Sequence, residues 1–136
     1  MELRENHLPD DESLVRLYND AGWFAYTDDL GSLKSAIQGS LYLLCAYEGG
    51  QLVGLLRAVG DGVSILYIQD LLVLGAQRRG GIGTALIERT IEKFASVRQK
   101  VVSTDDTPAL REFYRRLGFV PYGETGLVGF YYMAKE

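Results

Sequence analysis

Apolar residues recur along the chain with two periods, and the switches between them divide it into elements. Residues 1–8, MELRENHL, can form a short first strand. In residues 11–21, DESLVRLYNDA, Leu14, Val15, Leu17, Tyr18 and Ala21 fall on one helical face. Asp10 or Asp11 is available as the cap, and Gly22 fits the helix end. Residues 23–29, WFAYTDD, read as an aromatic loop. Residues 30–38 predict a second short helix through Leu33, Ala36 and Ile37. At Leu41 the period changes. LYLLCAYE (41–48) and QLVGLLRAV (51–59) are strand candidates joined by Gly49-Gly50, a hairpin signal. A second turn, GDG at 60–62, leads into a long third strand, VSILYIQDLLVL (63–74). Three successive strands with tight turns predict an antiparallel meander.

After the stretch RRGGIGT (78–84), helical spacing returns with Leu86, Ile87, Ile91, Phe94 and Ala95. KVVST (100–104) reads as a buried strand. Thr107-Pro108 reads as a cap followed by proline at the first helical position. The helix carries Leu110, Phe113, Tyr114 and Leu117 and ends at Gly118. FVPYG (119–123) and LVGFYYMAK (127–135) are expected to close the chain as strands. The predicted architecture is mixed α/β (α+β): one domain over residues 1–136, with about four helices flanking a mixed sheet. That sheet, mostly antiparallel, is expected to hold about six to seven strands. The strand–helix–strand unit around the glycine stretch should make one parallel pair.

Composition narrows the function. The chain has 136 residues, 47% of them hydrophobic, enough for a real core. Its 14 basic and 18 acidic residues give a net charge of −4, which argues against a broad nucleic-acid surface. Arg78-Arg79 and the set Arg111, Arg115, Arg116 are local basic spots. One histidine and one cysteine leave no zinc set, and no metal is expected. No apolar run spans a bilayer, the polar N-terminus is no secretory signal, and Cys45 has no disulfide partner. A cytoplasmic address and no membrane contact are the expectations.

RRGGIGT is the candidate chemistry. A helix N-terminus presents unpaired N–H groups and a partial positive charge. Gly80, Gly81 and Gly83 would let an anion approach the backbone, and Arg78 and Arg79 add charge. The stretch lacks the Gly-Lys-Ser/Thr ending of a P-loop, and the strand order does not suit a dinucleotide fold. Taken alone, a phosphate loop and a flexible turn fit it equally well.

The context is more specific. Arg78-x-x-Gly81-Ile82-Gly83 follows a strand, DLLVL, and opens a helix, and ALREFYRRLGFVPYG (109–123) stands downstream. In these paired motifs the sequence resembles the GNAT (GCN5-related) N-acetyltransferases, and the resemblance covers most of the chain. It implies acetyl-CoA as co-substrate. By the family pattern, the backbone from Arg79 through Gly80, Gly81, Ile82 and Gly83 to Thr84 would hold the pyrophosphate, with Arg78 in the motif's first position. Leu71, Leu72 and Val73 would pair with the pantetheine arm. Tyr114 would be the general acid that protonates the departing thiolate, although its spacing also suits a core aromatic. Thr107 stands where many members carry an asparagine that contacts the cofactor.

Some polyamine-acetylating members carry Glu-Asp where this chain has Gln69-Asp70, and glutamine cannot accept the proton. Asp70 is therefore the candidate base, with a structural aspartate as the alternative. Trp23, Phe24, Tyr26, Tyr67, Gln69 and the aromatics Phe130, Tyr131 and Tyr132 are candidates for the acceptor side, where an aromatic pocket would suit an amine with an apolar body. Asp28, Asp29 and Asp61 could attract a cation. The resulting expectation is an acetyl-CoA-dependent N-acetyltransferase that acts on a small-molecule primary amine by direct ternary-complex transfer. The alternatives are acetylation of a protein N-terminus or lysine, and an acyl-CoA sensor with little catalysis. Exposed end strands would allow a homodimer.

Overall fold

In the computed structural model, which describes residues 1–134, the chain forms two compact units, Met1–Ser103 and a second starting at Thr104. The first unit opens with β1 (Glu2–Glu5), α1 (Asp11–Asp20), α2 (Phe24–Thr27) and α3 (Leu30–Gln38). The meander follows as β2 (Tyr42–Glu48), β3 (Gln51–Gly60) and β4 (Ile65–Val73), then α4 (Ile82–Lys93) and β5 (Gln99–Val102). The sheet order is β1-β2-β3-β4-β5, antiparallel except for the β4–β5 pair. The meander and the single parallel pair are as the sequence predicts. Among the described residues the strand count is five rather than about six to seven, and there are five α-helices rather than about four.

Hydrophobic spacing explains the layers. Leu14, Leu17 and Tyr18 of α1 are fully buried, as are Leu86 and Ile87 of α4. β2 and β3 are buried almost end to end, which explains why their sequences read as apolar runs without alternation. α1 packs on β3 and β4, and α4 packs on β2, β3 and β4. Gly54 lies under α4: a Cβ there would stand 2.8 Å from Ile82 Cγ2 and 3.2 Å from Leu86 Cδ1. Arg57, three residues on, points to the opposite face and meets Tyr18 of α1 through Asp70. Helices therefore cover both faces.

The local signals hold in detail. Asp10 caps α1, its carboxylate accepting from Ser13 N at 2.8 Å. Asp29 caps α3 through Ser32 N at 3.1 Å. The segment WFAYTDD contains α2, a single helical turn, instead of a pure loop. Asp61 accepts from the backbone N–H groups of Val63, Ser64 and Ile65, closing the β3–β4 turn.

The second unit holds α5 (Pro108–Arg116) and a 3-10 turn at Tyr122–Glu124. Thr107 caps α5, accepting from Leu110 N at 3.2 Å. FVPYG is not a strand, nor is the described part of LVGFYYMAK; Lys135 lies outside the described residues. Strand-prone composition becomes a strand only when another edge completes its ladder, and among the described residues this segment has none.

Candidate active site

β4 carries the first element of the site. Its ladder to β5 ends at Ile68↔Val102, while its ladder to β3 runs on to Val73↔Gly54. Within the first unit, residues 69–73 thus keep one edge without a strand partner, and Leu71, Leu72 and Val73 lie on it. The chain then makes a 3-10 turn at Gly75–Gln77 and enters the glycine loop.

Two residues of the loop take left-handed backbone, Arg79 at φ 70° and Gly81 at φ 85°. Gly81 is the cap residue of α4 and supplies no side-chain bond to it. The first backbone N–H to bond back is that of Ala85, to Gly81 O at 3.0 Å. The N–H groups of Ile82, Gly83 and Thr84 have no partner among the described residues. A Cβ at Gly81 would meet nothing within 4 Å, so the space over this helix start is open. Unpaired donors, a helix dipole and two arginines fit a pyrophosphate, and the open edge of β4 fits an arm that carries amides.

Arg78 is not simply turned outward. Its Nε donates to Val73 O at 3.2 Å, and its guanidinium lies 3.9 Å from the Asp20 carboxylate. Asp20 also accepts from Gly75 N at 2.7 Å, tying the end of α1 to the start of the loop. Sequence reasoning missed Asp20, because an acidic residue at a helix end carries no signal of a partner 55 residues away.

In the second unit, Tyr114 lies on α5 and is buried, with Phe113 and Phe119 edge-on to it at 5.0 Å and 5.7 Å. Its hydroxyl makes no hydrogen bond among the described residues. Burial pushes its phenol up to about 12.

Of the acceptor-side candidates in the first unit, Tyr26 reaches Asp70. Asp70 is 1% exposed. Its Oδ2 accepts from Arg57 Nε at 2.7 Å and from Tyr18 Oη at 2.9 Å, and its Oδ1 accepts from Tyr26 Oη at 3.2 Å. Three donors thus converge on the buried Asp70 carboxylate, two on Oδ2 and one on Oδ1. Tyr26 is half-buried, with the Tyr18 ring at 5.1 Å and the Trp23 ring at 6.1 Å. Gln69 is exposed and is the extra residue of a bulge: Arg57 pairs with Asp70, and Ala58 pairs with Ile68. Tyr67 donates to Ser103 Oγ at 2.7 Å. Asp29 and Asp61 are occupied as caps of their own turns. Phe130, Tyr131 and Tyr132 are 94%, 87% and 84% exposed. Sequence reasoning missed Arg57 and Tyr18. The signal for Arg57 was a lone charge inside the apolar run GLLRAV.

A five-stranded sheet with one parallel pair, a strand edge left open and a glycine-rich helix start directly beyond it defines an acetyltransferase-type domain. The profile of the Acetyltransferase (GNAT) domain matches residues 10–130, and the chain belongs to this family. A GNAT-family acetyltransferase of Streptococcus pneumoniae TIGR4, SP0256, superposes with a TM-score of 0.87 at 30% identity, covering 99% of this chain and 98% of that one. An aminoglycoside acetyltransferase, meta-AAC0020, from an uncultured soil metagenomic sample and in complex with sisomicin, superposes at 0.71 with 25% identity, covering 98% and 96%. A second aminoglycoside acetyltransferase of such origin, HMB0005, gives 0.71 at 27% identity, covering 99% and 100%. No curated protein matches the chain.

Proposed function

We propose that the protein transfers an acetyl group from acetyl-CoA to the primary amine of a small molecule. The observation that carries this reading is the continuous path from the open edge of β4 to the three unpaired N–H groups at the start of α4. Leu71, Leu72 and Val73 would pair with the pantetheine arm. The backbone of Arg79, Gly80, Gly81, Ile82, Gly83 and Thr84 would hold the pyrophosphate, with Arg78 steadying the loop through Val73 and Asp20. Thr107 acts in this reading as the cap of α5. When bound, acetyl-CoA supplies a thioester as acyl donor. The chain's own part is to orient the amine and to manage the protons: Tyr114, held protonated by burial, would give one to the leaving sulfur.

Trp23, Tyr26, Tyr67 and Gln69 are proposed to line the acceptor side. The names of two structural relatives as aminoglycoside acetyltransferases favour a small amine over a peptide. With three donors already on Asp70, it serves better as an anchor than as a base. The amine would then lose its proton to water. A homodimer is proposed on separate grounds: Leu127, Val128 and the run from Phe130 to Met133 are strongly exposed apolar residues, which a second copy would cover. Among the described residues no helix is long and apolar enough to cross a membrane. A cytoplasmic address is proposed on the buried, unpaired thiol of Cys45.

The test is Gly81→Asp. It adds a negative charge where the site needs a positive end; its Cβ would meet no neighbour within 4 Å, and the strain of the left-handed φ of 85° is smaller for Asp than for most side chains. Calorimetry with coenzyme A should register loss of binding while the variant stays folded. Unchanged binding would remove the loop from the reading. Thiol release from acetyl-CoA with a panel of amines then tests the transfer itself.

A further inference from the structure

We propose that Arg57, Asp70 and Tyr18 form a buried positioning set that fixes the hydroxyl of Tyr26 as a hydrogen-bond acceptor for the amine substrate. This rests on the acetyltransferase reading above and names the group that receives the amine.

The argument begins with the bulge. Cross-strand partners share a face of the sheet, and Arg57 and Ala58 lie on opposite faces. Arg57 pairs with Asp70 and Ala58 with Ile68, so Asp70 and Ile68 face opposite sides although they are two residues apart. Regular alternation would have put them together. The extra residue, Gln69, re-aims Asp70 toward α1 and the aromatic residues that follow it.

There the carboxylate meets only donors. Burial opposes the charge on Arg57, but the hydrogen bond and charge of Asp70 outweigh it and hold the guanidinium above its ordinary range. Burial, then the charge and hydrogen bond of Asp70, push the Tyr18 phenol well up. Tyr18 is therefore a permanent donor, as Arg57 is. Ser40 Oγ accepts from Arg57 Nη1 at 3.3 Å and steadies the far side of the guanidinium. With Asp70 Oδ2 taken by Arg57 and Tyr18, Oδ1 is the acceptor offered to Tyr26, at 3.2 Å.

This fixes the polarity of Tyr26. A hydroxyl has one proton and two lone pairs. The proton points inward to Asp70, so the lone pairs are left to accept from an N–H. Tyr26 is half-buried, and its ring lies 6.1 Å from that of Trp23, which is 36% exposed. An amine with an apolar body would rest that body on Trp23 and donate to Tyr26 Oη. The buried pair carries no net charge, so selection is by oriented dipole and ring face instead of by an anionic field.

The test is a double-mutant cycle read as KM for the amine and KM for acetyl-CoA. The probe is whichever of 2-phenylethylamine, spermidine and sisomicin the wild type turns over fastest. Tyr26→Phe removes the oxygen and keeps the ring. It should raise the amine KM by roughly tenfold, the loss of one hydrogen bond at a polar site, and leave the acetyl-CoA KM and kcat close to wild type. Asp70→Asn keeps the shape of the anchor. Its amide nitrogen, placed at the Oδ1 position, would donate to Tyr26 and turn the hydroxyl proton outward. Amine KM should rise at least as far, and Asp70→Asn/Tyr26→Phe should add nothing to the larger single effect. A purely structural aspartate would instead give additive losses and would lower kcat and stability whichever residue stands at 26. Wild-type turnover with an unchanged amine KM in Tyr26→Phe, or an additive cycle, overturns this proposal alone. A wild type that releases no thiol with any amine overturns the acetyltransferase reading and this proposal with it.

Discussion

Two buried tyrosines of this protein differ in what their hydroxyls meet, and the difference underlies the separate roles proposed for them. Tyr18 spends its proton on Asp70 at 2.9 Å and cannot give it up without leaving a buried carboxylate short of a donor. Tyr114 has no such partner among the described residues, yet burial pushes its phenol up to about 12. It therefore stays protonated throughout the neutral range and remains available as a donor. Tyr114→Phe should lower kcat by roughly 100-fold, the lower end of what general acid catalysis contributes, with little change in coenzyme A affinity by calorimetry. Because the phenol loses its proton only near pH 12, it should contribute no fall in wild-type kcat below about pH 10. Full activity in the Phe variant would return Tyr114 to the core. At this scale the sequence was informative about chemistry and silent about pairing. Asp70 is legible as a carboxylate in an apolar strand. That three donors would converge on it is not, because Arg57 and Tyr18 lie 13 and 52 residues away from it in the chain.

Between residue and fold stands the contact of α4 with β3. Gly54 is the point of closest approach, and the side chain it meets is Ile82, the first residue of α4 and a member of the glycine loop. A larger residue at 54 must push the helix start away from the sheet. Gly54→Val should therefore destabilise the fold by about 1–3 kcal/mol, the usual cost of overpacking. It should also weaken coenzyme A binding, because the three unpaired N–H groups move with Ile82. Urea unfolding and calorimetry on one sample separate the two effects. Lost stability with intact binding would mean that the loop is positioned without α4. The elements themselves were largely readable: caps, turns and apolar runs are local signals, and the meander follows from its two tight turns. The end of the β4–β5 ladder at Ile68 was not readable from local pattern, since Leu71, Leu72 and Val73 look like any buried strand. Only the family resemblance marked them as open. The closing strands failed for the same reason in reverse, since FVPYG and LVGFYYMAK have the composition of strands but no edge partner among the described residues.

For the molecule as a whole, the consequence of burying neutral acids is a limit on alkaline stability. Burial raises the Cys45 thiol from about 9 to about 12 and the Tyr114 phenol from about 10 to about 12. Tyr18 and Tyr42 are also raised, first by burial and then by the carboxylates beside them. In each case the folded state keeps a proton that the unfolded chain has begun to lose. The unfolded state then binds fewer protons, and the free energy of unfolding falls as pH rises. The stability that Cys45 and Tyr114 contribute is complete below about pH 9 and is lost between about 9 and 12, with Cys45 acting first. The urea midpoint should therefore decline progressively from pH 9 to pH 11. Cys45→Ala will lower the midpoint at every pH by leaving a small cavity in β2. The informative quantity is the slope. Between pH 9 and 10, below the ordinary tyrosine range, the variant should lose most of the decline that the wild type displays. An equal slope in both proteins would mean that the thiol titrates alike in the folded and unfolded chain, and that its burial between β1 and β3 does not hold its proton.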